Sequence, residues 1–248
     1  MTYSIIARIP ETNEFGIAVA SRFFACGALV PYLTHNAVIA SQAFVNPLWG
    51  IQSMEMLSKQ MKFQDILAIL KQEDQGREAR QFHGISSFGE IGQFTGSDCL
   101  NWAGHIKNKN VSVAGNMLTG PNVIRATLDA WNVNSHKPLA ERLLTSMEAG
   151  EAAGGDKRGK QAAALKISNG QPYPFLDIRV DDHADPLGEL KRLLAVADER
   201  YNIFRSALPT VENFSGMIDR RPLDKAIEAA EKKQREDGFV SKSAATSD

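Results

Sequence analysis

Thr2 is the residue whose type and position could do most. A threonine is small enough to permit removal of Met1, and the new chain start would then carry a hydroxyl and a free α-amine on one residue. The hydroxyl is a nucleophile; the amine, with a reference pKa of about 7.7 to 8.0, is a base suited to neutral pH. Many chains begin Met-Thr without chemical reason, so other residues must support the reading. The loop GEAAGGDKRGKQ at 150–161 has glycines that let backbone approach a ligand, with Asp156, Lys157, Arg158 and Lys160 supplying charge. It has no Gly-Lys-Ser/Thr leading from a strand into a helix, so it is not a nucleotide-phosphate loop. A glycine helix stop followed by a solvated turn accounts for it equally well, but an Asp and an Arg two residues apart would suit a site that orients an amine and binds a carboxylate. In 114–121, AGNMLTGP, the backbone amides and the Asn116 side chain could donate to an oxyanion, although an ordinary loop leading into a helix explains the same residues.

Other constellations are weaker. Arg179, Asp181, Asp182 and His183 look like a metal or acid–base cluster, but neighbours on an extended chain point to opposite faces, which favours an ion-pair network. The remaining histidines have no ligand spacing, and no metal or cofactor is expected. Cys26 and Cys99 are too few for a disulfide framework and read as reduced, buried packing residues.

The elements that must position these residues follow from periodicity. Residues 2–9 alternate, with Tyr3, Ile5, Ala7 and Ile9 opposite Thr2, Ser4, Ile6 and Arg8; after the turn at 10–14, residues 15–21 resume as a strand. That hairpin brings Ser21 and Arg22 near the chain start. A third strand is expected over 37–44. Asn46 is placed to cap and Pro47 to open a helix over 47–59, followed by a second over 63–70. Residues 81–87 and 91–94 read as a hairpin, 111–114 as a strand, and 122–131 and 139–149 as helices. Strands at 162–167 and 177–180 precede a helix over 186–201. Antiparallel hairpins alternating with helix pairs argue against a doubly wound parallel sheet and for an α+β, four-layer αββα sandwich with two antiparallel sheets between helical layers. The expected domain spans 2–204, with 205–248 as an appendage that is helical over 223–236 and disordered over about its last ten residues.

Composition narrows the partners. With 28 basic and 29 acidic residues the net charge is −1, and no basic-aromatic alternation occurs, so neither nucleic acid nor an anionic membrane surface is expected. No leader pattern or long apolar run is present, which makes a cytoplasmic protein the default expectation. A homodimer is the commonest arrangement for a soluble oligomer.

Several motifs, in order, resemble one known family: TYSIIARIPETNEFGIAVASRF at 2–23, SQAFVNPLWG at 41–50, NWAGH at 101–105, GNMLTGP at 115–121, AGGDKRGKQAAAL at 153–165 and LDIRVDDHADP at 176–186. Over about residues 2–200 the chain resembles the family carrying domain of unknown function 1028, of the Ntn-hydrolase-like proteins. The resemblance implies the αββα sandwich and a nucleophile at Thr2. By layout it also implies oxyanion-hole amides at Ser41-Gln42-Ala43, with Asn116 facing the site and Asp156 beside the nucleophile. Members often carry Thr where Ser41 stands, a change that keeps the hydroxyl.

The expected activity is hydrolysis of an amide or related acyl bond of a small molecule. Thr2 would attack, Asp156 would orient its amine, and Gln42 or Ala43 with Asn116 would hold the oxyanion. Arg158 and Arg22 would bind an acidic group of the substrate. A binding or scaffold protein that kept the fold without catalysis is the alternative from another class. Metal-dependent hydrolysis at Asp181, Asp182 and His183 is a second enzymatic one.

Overall fold

Tyr3, Ile5 and Ala7 alternate with Ser4 and Ile6 along the first strand, β1 (Thr2–Ile9), and both sets are fully buried. A strand buried on both faces needs a layer on each side. On one side the Tyr3 hydroxyl donates to the Met147 carbonyl of a helix (3.0 Å); on the other, Ile6 packs with Val38 and Ile85 of a second sheet. The computed structural model describes residues 2–245.

The first sheet contains β1, β2 (Glu14–Ser21), β7 (Trp102–Asn108), β8 (Val111–Leu118), β9 (Ala162–Ser168) and β10 (Leu176–Val180), in the order β10-β9-β2-β1-β8-β7. The second contains β3 (Pro31–Leu33), β4 (Ala37–Ala43), β5 (Arg80–Ser86) and β6 (Ile91–Thr95), in chain order. All these neighbours pair antiparallel. Between the sheets Ile6, Phe15, Ile17 and Val19 meet Val38, Ala40 and Ile85.

Helices α2 (Pro47–Ser58) and α3 (Phe63–Glu73) cover the outer face of the second sheet, where Trp49, Phe63, Ile66 and Leu70 pack with Ile39 and Phe82. The Asn46 side chain accepts from the Leu48 amide at 3.0 Å, so the Asn-Pro pair opens α2 as its sequence predicts. Helices α4 (Asn122–Val133) and α5 (Leu139–Ala152) cover the first sheet, and Leu139 and Leu143 close over Gly16, where a Cβ would come within 2.6 Å of Leu143. The result is an α+β sandwich of two antiparallel sheets between helical layers.

Among the elements that go beyond the periodicity reading are α1 (Cys26–Leu29), β3 and β7. The helix expected over 186–201 is α6 (Pro186–Val196) followed by a π-helical turn, Ala197–Tyr201. By compactness the chain divides into one unit running to Leu190 and another from Lys191. The second unit contains α7 (Asn202–Arg205) and α8 (Arg221–Glu236), with Leu223 and Ile227 buried. Within it Glu199 accepts from the Ser241 hydroxyl and the Lys242 amide. The disorder expected for the last ten or so residues lies partly outside the described residues, as does Met1. No helix among the described residues is long and apolar enough to cross a membrane.

Candidate active site

Strand register assembles the chain start. Thr2 is opposite Ser21 on β2 and opposite Asn116 on β8, so two separate pairings converge on it. Its Oγ1 lies 3.1 Å from Ser21 Oγ, and Thr2 itself is only 6% exposed. The Asn116 Nδ2 donates to the Thr2 carbonyl at 3.3 Å and to Gln81 Oε1 at 3.0 Å. An amide nitrogen has two hydrogens, so both are engaged. Donation from Asn116 to an oxyanion would have to replace one of these bonds.

The Gly-rich loop closes beside this pair. Gly154, Gly155 and Gly159 have φ of 121°, 48° and 98°, the left-handed region that favours glycine. This backbone brings Asp156 to a bridge with Leu118 at the end of β8. The Asp156 carboxylate, nearly buried, accepts from the Arg22 amide at 3.0 Å and the Arg158 amide at 2.7 Å, with the Arg158 guanidinium at 3.5 Å. One carboxylate thus fastens the end of β2 to the loop leading into β9. The Arg22 side chain donates to the Lys160 carbonyl (3.3 Å).

Thr2, Gln42, Ala43 and Arg158 line one cavity of about 190 Å³, whose wall also includes Leu29, Val30 and Val45. Ala43, at the end of β4, has φ 73°, a strained value for a residue with a Cβ, and such strain gathers at functional sites. The Ser41 hydroxyl donates to the Asn46 carbonyl at 2.9 Å, so this buried side chain secures the turn into α2. Asn116, Ala43 and Phe44 line a second cavity of about 330 Å³. A larger one, about 690 Å³, is lined by Asn36, Ser86 and Phe88 at the opposite end of the second sheet and shares no residue with the Thr2 cavity.

Behind Thr2 runs a buried polar network whose direction follows from proton counting. Ser4 Oγ donates its single proton to Gln42 Oε1 (2.6 Å), so it can only accept from His83 Nε2 (2.8 Å). A neutral imidazole that donates from Nε2 accepts at Nδ1, here from the Ser112 hydroxyl (2.8 Å), which in turn accepts from Gln93. Gln42 Nε2 donates onward to Gln81 Oε1, the atom that also receives Asn116. Burial, with a smaller contribution from His105, pushes His83 down to about 3 and keeps it neutral. Sequence reasoning missed Ser21 and His83 as site residues. The hairpin length pointed to Ser21; nothing local marks His83.

The remaining candidates are placed apart. Arg179 is 3.8 Å from Asp181, Asp182 accepts from Gln161, and His183 Nδ1 accepts from the Asp185 amide. Among the described residues no three His, Cys, Asp or Glu side chains are grouped to hold a metal ion. Burial, reinforced by Asp181, pushes the Cys26 thiol up to about 12, which makes it a packing residue. Cys99 is half-buried rather than buried.

These features define an α+β sandwich with a buried hydroxyl pair at one end of its central hairpin. Its family is shown by sequence: the chain belongs to DUF1028, a family of unknown function, whose family model matches residues 2–190. The chain is also similar to protein SPO2555 from Silicibacter pomeroyi, whose crystal structure carries the same family description. That match has a TM-score of 0.81 and 28% identity, covering 88% of this chain and 96% of that one. No curated protein matches the chain.

Proposed function

We propose that the protein is an N-terminal-nucleophile (Ntn) hydrolase that cleaves an amide or related acyl bond of a small molecule, with Thr2 as nucleophile after removal of Met1. The observation that carries this reading is the Thr2 hydroxyl itself, held 3.1 Å from Ser21 Oγ and lining a cavity with Arg158. Thr2 Oγ1 adds to the substrate carbonyl while its proton passes to the α-amine, directly or through one water. The negative charge develops on the carbonyl oxygen, and the backbone at Gln42–Ala43 is the candidate donor to it. Asn116 holds the Thr2 carbonyl and so positions the nucleophile. Collapse of the intermediate breaks the C–N bond, the ammonium returns its proton to the leaving nitrogen, and water then hydrolyses the acyl ester on Thr2. Asp156 fixes the backbone at Arg22 and Arg158 around this centre.

Two measurements test it. Intact mass should show loss of Met1, and a β-lactone probe should add to Thr2, as located by peptide mass spectrometry. Thr2→Ala should lose the adduct and lower turnover by about 10³-fold or more. Retention of Met1 in active protein, or unchanged turnover in Thr2→Ala, overturns the mechanism. Ligand binding without any adduct and indifferent to Thr2→Ser would instead mark a binding protein that keeps the fold.

A further inference from the structure

The Thr2 cavity has a lining whose chemistry selects a substrate class. Apart from Thr2, Gln42 and Arg158, its wall is apolar: Phe23, Leu29, Val30, Phe44 and Val45 contribute, together with the protonated thiol of Cys26. Arg158, the one cationic side chain that lines it among the described residues, already has the Asp156 carboxylate at 3.5 Å. Phe23 and Phe44 are 52% and 74% exposed, two large apolar side chains in water at the cavity that bears the nucleophile. Covering them with an apolar ligand is favourable. Volume limits the size of that ligand. An apolar protein cavity of about 150 Å³ takes up a benzene ring, and this one is about 190 Å³.

The second cavity, of about 330 Å³, shares Ala43 and Phe44 with the first and is lined by Asp98 and Asn116 but not by Thr2. The two halves of an amide therefore have separate places. The acyl half stays bonded to Thr2 Oγ1 through the ester intermediate, so it belongs in the cavity that Thr2 lines; the amine half leaves towards the wider one.

We infer that the substrate is an N-acyl amide whose acyl group is apolar and compact, an aryl ring or an alkyl chain of about six to eight carbons. This rests on the hydrolase reading above and replaces the acidic substrate group expected from the two arginines. A binding arm keeps the two separable. Thr2→Ala protein is titrated by ligand-observed NMR with phenylacetamide and with glutaramate, its acidic counterpart. Phenylacetamide should bind at least about tenfold more tightly and be weakened about tenfold by adding Val45→Trp or Leu29→Trp, which fill the cavity. In the mature wild type, kcat/KM for phenylacetyl and hexanoyl anilides should exceed that for the glutaryl anilide about tenfold. Val45→Trp should lower the phenylacetyl-to-acetyl ratio of kcat/KM by a similar factor. Preferential binding of glutaramate, or an unchanged ratio in both filled variants, overturns the inference while leaving the hydrolase reading intact. Phenylacetamide binding that the filled variants weaken, with no anilide turned over, upholds the apolar cavity and counts against hydrolysis. Absence of phenylacetamide binding refutes the apolar cavity whatever the turnover.

Discussion

At the scale of single residues, two buried groups behind Thr2 have roles that titration and substitution can separate. His83 is neutral in the native state with a pKa of about 3, whereas an unfolded histidine titrates near 6.5. Between those values the unfolded chain binds a proton that the native protein does not. The stabilising effect is therefore complete above about pH 6.5 and is lost progressively as pH falls towards 3. Protonation would also reverse the Nδ1 bond, because Ser112 would face a donor where it now meets an acceptor. His105, on the exposed edge strand and also lowered, mainly by desolvation, adds loss in the same direction. Thermal melting at pH 7 and pH 4.5 should show a larger drop for the wild type than for His83→Gln; equal drops would refute the assignment. Asp156 is a different case, since its two oxygens accept from two backbone amides. Asp156→Asn keeps the shape but turns one acceptor into a donor facing a donor, which costs about 1–3 kcal/mol. Its midpoint should fall and its adduct formation at Thr2 should slow about tenfold or more at a temperature where it stays folded. Unchanged labelling would confine Asp156 to a purely structural role.

At the scale of elements, the position of β1 depends on how closely α5 approaches it. Gly150 lies within α5, where replacing glycine by alanine ordinarily favours a helix by about 1 kcal/mol. Here a Cβ would stand 2.3 Å from Thr127 Oγ1 and 3.0 Å from the ring of Tyr3, the residue after the proposed nucleophile. Gly150→Ala should therefore destabilise, by about 1–3 kcal/mol, in chemical denaturation, opposite in sign to its propensity. A stabilised variant would show that α5 can move away without cost. The same packing explains what was legible in the sequence. α4 and α5 present apolar stripes to a sheet, and β1 and β2 form a hairpin whose turn fixes its register, so these elements and the proximity of Ser21 could be read locally. β7 is an edge strand, mostly half-exposed, with Gly104 at a bulge, and its residues carry no alternation. β3 has three residues and α1 four, too short for any period, and α1 starts without a side-chain cap after Ala25 at φ 52°. Cys26 and Leu29 of that unread helix line the Thr2 cavity, which is why its apolar character stayed hidden. Asn116 reaches Thr2 through pairing of strands far apart in the chain, a contact that no local pattern encodes.

At the scale of the whole molecule, the candidate chemistry is confined to one compact unit. Thr2, Ser21, Gln42, Asn116, Asp156 and Arg158 all precede Leu190, where that unit and the family match both end. The second unit has its own buried residues, Leu223 and Ile227, and its own hydrogen bonds from Ser241 and Lys242 to Glu199. It also exposes Phe214 and Ile218 almost fully, large apolar side chains that an association surface would cover. A chain ended after Val196, which keeps α6 whole, should therefore fold and label at Thr2 within about twofold of the full-length rate, because it keeps Ser21, Gln42, Asn116, Asp156 and Arg158, the residues of the proposed site. If the protein is the expected homodimer through this second unit, light scattering should give twice the chain mass for the full-length protein and a single mass for the shortened one. A shortened chain that folds but no longer labels would show that the second unit shapes the site. A shortened chain that remains dimeric would place the association surface within residues 2–196, and not at Phe214 or Ile218.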